Sequence, residues 1–126
     1  MICAPTAAQN LRAATASSYI ERGNNWYAKG EYERALADFD LAIASDPSND
    51  AAYYNRGLTR FQTKDYERTL ADFDRALQLN PRFTEAYVDR SAVRYLLGDL
   101  GGALSDTNMA LALKPKLAIA WNNRGL

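Results

Sequence analysis

Three prolines, Pro47, Pro81 and Pro115, stand 34 residues apart, and a whole set of columns keeps that step. Tyr19, Tyr53, Tyr87 and Trp121 run in phase, followed by Arg22, Arg56, Arg90 and Arg124, and by Gly23, Gly57, Ser91 and Gly125. Further along come Tyr32, Tyr66 and Leu100; Ala35, Thr69 and Ala103; Asp38, Asp72 and Asp106; Ala42, Ala76 and Ala110. A period of this length restricts a chain to an array in which one supersecondary unit recurs and buries its apolar face against its neighbour. The units fall at residues 16–49, 50–83 and 84–117, with a fourth opening at 118–126 and an Ala-rich lead-in at 1–15.

Each unit reads as two helices. From Asp50 to Thr63, Tyr53, Gly57, Leu58 and Phe61 recur at steps of three and four, the spacing of one helix face. A second amphipathic stretch runs from Tyr66 to about Asn80, where Pro81 biases the preceding residue away from helical angles. Gly30 and Gly98 stand at the turn between the two helices, and glycine takes a left-handed angle there without steric cost. Lys64 holds the same place in the second unit, so that turn is either strained or built differently. Small residues at Gly23, Gly57, Ser91, Ala42, Ala76 and Ala110 recur where helices must approach closely, and no segment alternates as a strand does. The fold class expected is all-α.

Composition narrows the function. Fifteen basic and fifteen acidic side chains cancel, so no global field attracts a nucleic acid. The absence of histidine removes the commonest general base and the commonest transition-metal ligand. A single cysteine, Cys3, forms neither an internal disulfide nor a thiolate zinc site. There is no phosphate-binding glycine loop and no metal-ligand spacing. The expectation is a protein with no enzymatic activity, cofactor, metal or nucleic-acid partner. No apolar run reaches the ~20 residues that span a bilayer, so membrane insertion is not expected either.

These columns resemble the tetratricopeptide repeat family, whose units are 34 residues long with an aromatic opening, a following glycine, a later small–aromatic–small run and a terminal proline. The resemblance covers residues 16–126. It implies an α-solenoid, with antiparallel helix pairs stacked into a right-handed superhelix and the first helix of each pair lining a concave groove. On that geometry the groove residues include Ile20, Glu21, Asn24 and Tyr27; Tyr54, Asn55, Leu58 and Phe61; Glu85, Val88, Asp89 and Tyr95; and Ile119, Asn122 and Asn123. Aromatic rings offer contact area with few rotors to freeze, and asparagine both donates to and accepts from a peptide backbone. Two readings of the Tyr27, Phe61 and Tyr95 column stay open: ligand contact, or packing between adjacent repeats.

Some members of the family hold a chaperone's C-terminal carboxylate with a lysine, two asparagines, a lysine and an arginine. The asparagines match at Asn24 and Asn55, but the cation positions hold Ile20, Glu85 and Asp89. Glu21, Glu85 and Asp89 therefore point to a neutral or basic peptide partner instead of an acidic chaperone tail. The Asn-Arg-Gly and Asp-Phe-Asp segments resemble those of bacterial arrays.

Departures from the family pattern are informative. Its members usually place an apolar residue where all four units here have arginine, and each complete unit also carries an aspartate. The repeating Arg22, Arg56, Arg90 and Asp38, Asp72, Asp106 suggest a structural ladder of ion pairs between helix layers that fixes register. The alternative is an anion site formed by the arginines. The third unit has Leu100-Gly101-Gly102, and Thr107 where the others have Phe39 and Phe73, so its second helix is expected to pack least well, with two helix-interior glycines.

The ends leave alternatives. Residues 4–9 read either as the small-residue tail of an export signal, implying a periplasmic or exported protein, or as a helical lead-in with Thr6 and Gln9 at capping-box spacing. The compartment is otherwise open, with a cytoplasmic location the alternative. At 118–126 only half a first helix is present, as in a fragment of a longer array or in a chain whose copies cover one another. The functional expectation is a protein-interaction scaffold that holds a peptide in its groove. The rivals are a self-assembling module, hence a homo-oligomer, and the regulatory fragment of a longer protein.

Overall fold

The computed structural model describes residues 4–116. Six helices follow one another: α1 (Ala7–Ala28), α2 (Tyr32–Ser45), α3 (Asp50–Gln62), α4 (Tyr66–Leu79), α5 (Thr84–Leu96) and α6 (Leu100–Leu113). There is no strand among the described residues. The chain divides into two compact units, residues 1–79 with α1–α4 and residues 80–126 with α5 and α6.

Caps set the helix starts. Thr6 Oγ1 accepts from the Gln9 amide at 3.2 Å, and Gln9 Oε1 accepts from the Thr6 amide at 2.7 Å, a reciprocal capping box. The small-residue lead-in is thus the first two turns of a 22-residue α1 that runs on into the first repeat. Asn49 caps α3 through the Ala52 amide, and Asp99 caps α6 through the Gly102 amide. That last cap corrects one expectation: Gly101 and Gly102 lie in the first turn of α6, not in its interior. A Cβ at Gly102 would run into the capping Asp99 carboxylate, whereas one at Gly101 would meet nothing.

The three turns within the repeats, between α1 and α2, α3 and α4, and α5 and α6, share one geometry. Gly30, Lys64 and Gly98 have φ of 77°, 65° and 83°. The following amides, of Glu31, Asp65 and Asp99, reach back five residues to the carbonyls of Trp26, Arg60 and Arg94 at 2.8–2.9 Å. Lys64 therefore adopts the glycine conformation in an unaltered turn, at a steric cost of about 1–2 kcal/mol. The aromatic and proline columns are joined as well. The hydroxyls of Tyr53 and Tyr87 donate to the carbonyls of Pro47 and Pro81, six residues earlier, at 3.1 and 3.0 Å.

Close approach explains the glycine column. Phe39 and Phe73 are fully buried, each against a glycine of its partner helix. A Cβ on Gly23 would lie 2.6 Å from the Phe39 ring, and one on Gly57 2.8 Å from the Phe73 ring. In the second unit the same columns carry Ser91 and Thr107, whose hydroxyls lie 2.8 Å apart, and Ser91 also donates to the Ala103 carbonyl. A ring over no side chain is thus exchanged for two small side chains that hydrogen-bond.

The same helix pairs are joined by ion pairs at a fixed separation of sixteen residues. Arg22, Arg56 and Arg90 each hold Asp38, Asp72 and Asp106 through both Nε and Nη2, at 2.6–3.0 Å for the paired oxygens. The three aspartates are buried at 4%, 2% and 2% exposure. Arg60 and Arg94 add a second guanidinium, through Nη1, to Asp72 and Asp106 at 2.9 and 2.8 Å. Arg56 Nη1 also reaches Asp40 of the preceding repeat at 3.0 Å. No buried side-chain polar atom lacks a hydrogen bond among the described residues.

Two stability outcomes follow. Gly57→Ala is expected to cost about 1–3 kcal/mol by overpacking. Combining it with Phe73→Leu should cost at least about 0.5 kcal/mol less than the sum of the single changes. Denaturant titration of the three variants measures the coupling, and simple additivity would refute the close-packing account. Asp72→Ala strands two partly buried guanidiniums and is expected to cost about 3–5 kcal/mol. Asp40→Ala, at an exposed carboxylate, should cost under about 1 kcal/mol. Equal urea midpoints for these two would show that the ladder does not fix the helix pairs.

Candidate functional site

In the first unit the groove candidates lie on α1 and α3. Asn24 is exposed and Asn55 half-buried, and among the described residues neither carboxamide has a hydrogen-bond partner; only the Asn55 carbonyl is engaged, by Thr59 Oγ1 at 2.8 Å. Both amides are therefore available to a ligand's backbone. Ile20 belongs to the hydrophobic cluster formed with Ala16, Ala42 and Ala52, together with Tyr19 and Ile43.

The aromatic candidates are anchored rings. Tyr27 meets Tyr32 edge-on at 5.5 Å between centroids, and Phe61 meets Tyr66 at 5.5 Å. Each ring of the column thus rests on the first residue of the next helix in its own repeat. Tyr27 also connects repeats, because its hydroxyl accepts from Gln62 Nε2 at 3.1 Å. Tyr54 lies against the buried Phe73 at 5.7 Å. Tyr27 and Phe61 pack chiefly within their own repeats, and both stay half-exposed, as does Tyr54.

In the second unit Tyr95 is 67% exposed, since Leu100 replaces the tyrosine that supports its counterparts. Glu85 is exposed but paired with Lys114 Nζ at 3.1 Å. Its own backbone amide and then Lys114 hold the carboxyl below the usual range. Asp89 is half-buried on α5. The charge argument against acidic ligands therefore loses one of its acids, because Lys114 offsets Glu85. This pairing spans 29 residues, and nothing in the repeat pattern announces it. Ile119, Asn122 and Asn123 lie outside the described residues.

The arginines of the ladder are committed. Arg56 is pulled down by burial but raised on balance by hydrogen bonding and charge from Asp72, then from Asp40. Arg22 is raised by its hydrogen bond to Asp38 and then by that carboxylate's charge. Both are permanent cations paired in place, Arg56 largely enclosed at 18% exposure and Arg22 with its side chain 58% exposed. Among the described residues no group of three or more acids, cysteines or histidines is arranged to hold a metal ion. No described helix is long and apolar enough to cross a membrane.

Comparison with known proteins agrees with this architecture. The tetratricopeptide repeat model matches residues 51–83, and a second TPR repeat model matches residues 23–64. The first TPR of Spaghetti (RPAP3), bound to the HSP90 peptide SRMEEVD, is 30% identical with a TM-score of 0.80 over 82% of each chain. The second TPR of Spaghetti (RPAP3), with the same peptide, is 31% identical with a TM-score of 0.80 over 86% of this chain and 98% of that one. The second TPR domain of human RPAP3, in complex with the HSP70 peptide SGPTIEEVD, is 29% identical with a TM-score of 0.75, covering 84% and 86%. The Arabidopsis OM64 TPR domain shares the fold at 22% identity and a TM-score of 0.79, over 91% of this chain and 99% of that one. No curated protein matches the chain. With the repeat columns, the helix pairs and these likenesses together, the chain belongs to the tetratricopeptide repeat family, an all-α solenoid fold.

Proposed function

We propose that this chain is a non-catalytic protein-interaction module that holds a peptide segment against the groove face of its first helices. The observation that carries the reading is the pair of unpartnered carboxamides, Asn24 and Asn55, set among anchored, half-exposed rings. The rings supply area whose ordering entropy is already spent, and the amides supply hydrogen bonds to a backbone. Similar TPR domains bind HSP90 and HSP70 peptides, which supports a peptide as the class of partner. The finer expectation is a neutral or basic segment, because Ile20, Glu85 and Asp89 stand where cations would be needed. The acidic peptides of those similar domains make charge the feature to test.

Titration with SRMEEVD and with SRMQQVN, in which the three acidic side chains become amides, separates the possibilities. The amide peptide should bind at least as well, and Asn24→Ala with Asn55→Ala should weaken it roughly tenfold or more while leaving the mass unchanged. Tighter binding of SRMEEVD would replace the neutral-ligand expectation with an acidic one. Binding indifferent to both asparagines would remove the groove reading.

A second reading, self-association, rests on the exposed apolar face of the second unit. There Val88, Ala92, Tyr95, Leu96, Leu100 and Leu104 line an open groove of about 710 Å³. Tyr95, Leu96, Leu100 and Leu104 are each 59–67% exposed, a concentration of apolar surface that favours contact with another chain. Light scattering over a concentration series should show a mass above the 14.0 kDa monomer that returns to monomer in Leu100→Lys/Leu104→Lys. A monomer at every concentration would remove this reading.

A further inference from the structure

The first repeat departs from the other two at one place in the ladder. Arg60 and Arg94 give their aspartates a second guanidinium, but the corresponding residue of the first repeat is Trp26. Arg34 lies 4.7 Å over the Trp26 ring and Lys29 5.4 Å. Arg22, Trp26, Arg34, Ala37 and Asp38 surround an open pocket of about 300 Å³. Its single acid, Asp38, is consumed by the Nε and Nη2 of Arg22. The pocket lining thus carries two arginines against one carboxylate around an indole, with Lys29 also over the ring.

The fold itself shows what such a surface accepts. In the next repeat Arg56 makes the identical bidentate pair with Asp72, and its remaining Nη1 takes Asp40 from α2, which packs on α3. Arg56 is left 18% exposed. Arg22 has the same geometry, but its Nη1 has no partner among the described residues and the side chain is 58% exposed. One turn earlier on each helix, the buried Ala52 of α3 corresponds to the exposed Ser18 of α1, whose hydroxyl donates back to the Ala14 carbonyl. The face that α2 covers on α3 is therefore uncovered on α1, and it carries Ser18 and an exposed Arg22 where α3 has the buried Ala52 and the enclosed Arg56.

We propose that this face, centred on Arg22, Trp26 and Arg34, docks an amphipathic helix of a partner protein that presents an aspartate or glutamate, in the manner in which α2 presents Asp40 to Arg56. A guanidinium stacked on an indole keeps its in-plane donors for a carboxylate, so Arg34 supplies a second fork beside the free Nη1 of Arg22. A second copy docking through α6 is the poorer occupant: the column of Asp40 and Asp74 continues there as Asn108, which carries no charge. The face lies apart from the groove carboxamides, and the inference stands independently of the peptide-groove reading.

The test uses the full chain with Trp121→Phe, so that Trp26 is the sole indole. The probe is an acetylated, amidated peptide of the α2 sequence, Tyr32–Pro47. Binding should shift Trp26 emission, weaken roughly tenfold with the Asp40→Asn peptide, and weaken roughly fivefold with Arg34→Ala in the protein or on raising salt from 50 to 500 mM. The Asp38→Asn peptide should bind as well as the parent, because docking uses Asp40, whereas exchange of the peptide for the chain's own α2 would require Asp38. No shift of Trp26 up to 1 mM peptide, indifference to both Asp40→Asn and Arg34→Ala, or dependence on Asp38 instead would each overturn the proposal.

Discussion

A buried aspartate on the second helix of each pair, gripped by the Nε and Nη2 of an arginine sixteen residues earlier, is the constraint around which this molecule is organised. A bidentate fork tolerates little sliding or rotation, so it fixes both the axial register and the facing of the two helices. Burying such a pair often adds little net stability over an apolar one, whereas removing one partner is costly. With register set there, the ring over Gly23 or Gly57 finds its bare backbone and the turn closes on a left-handed residue. The ladder engages these arginines with aspartates, while the carboxamides of Asn24 and Asn55 take no part in it.

Much of this was legible in the sequence, and the reason is periodicity. A 34-residue step assigns residues to columns, and the helical spacing within a unit assigns columns to faces. What periodicity does not supply is which columns touch. The Tyr53 and Pro47 columns are both conspicuous, yet their hydroxyl-to-carbonyl bond emerges only once α3 is wound back over the preceding turn. Arg60 and Arg94 also share a column, but their sharing of Asp72 and Asp106 depends on where a long side chain bends. Gly101 and Gly102 misled for a local reason: the cap at Asp99 sets the start of α6 just ahead of them, which changes their role from interior weakness to first turn. The candidate site was legible as a set of residues and less so as a charge distribution, since Lys114 reaches Glu85 from outside any column the repeat defines.

Where the repeats differ, the differences come in compensating sets. Ser91 with Thr107 replaces glycine with phenylalanine, trading buried ring area for a hydroxyl pair and leaving the apolar groove of the second unit open. Trp26 replaces an arginine and collects Arg34 and Lys29 on its ring. Such sets concentrate individuality at particular positions while the ladder stays constant. Within this chain the duties are thus separated: the repeating pairs join the helices of each repeat, and the faces that differ between repeats carry the individual side chains.

The constancy of the ladder has a cost in information. Because Arg22, Arg56 and Arg90 each find their aspartate with the same atoms at the same sequence separation, the pair cannot tell one repeat from another, nor one molecule from the next. A first helix from one chain is chemically acceptable to the second helix of another, so exchange of helices between molecules is opposed only by the shortness of the turns and by residues that do not repeat. Trp26 and Thr107, the least regular members of their columns, are among the places where one helix pair differs from the next in what it can accept.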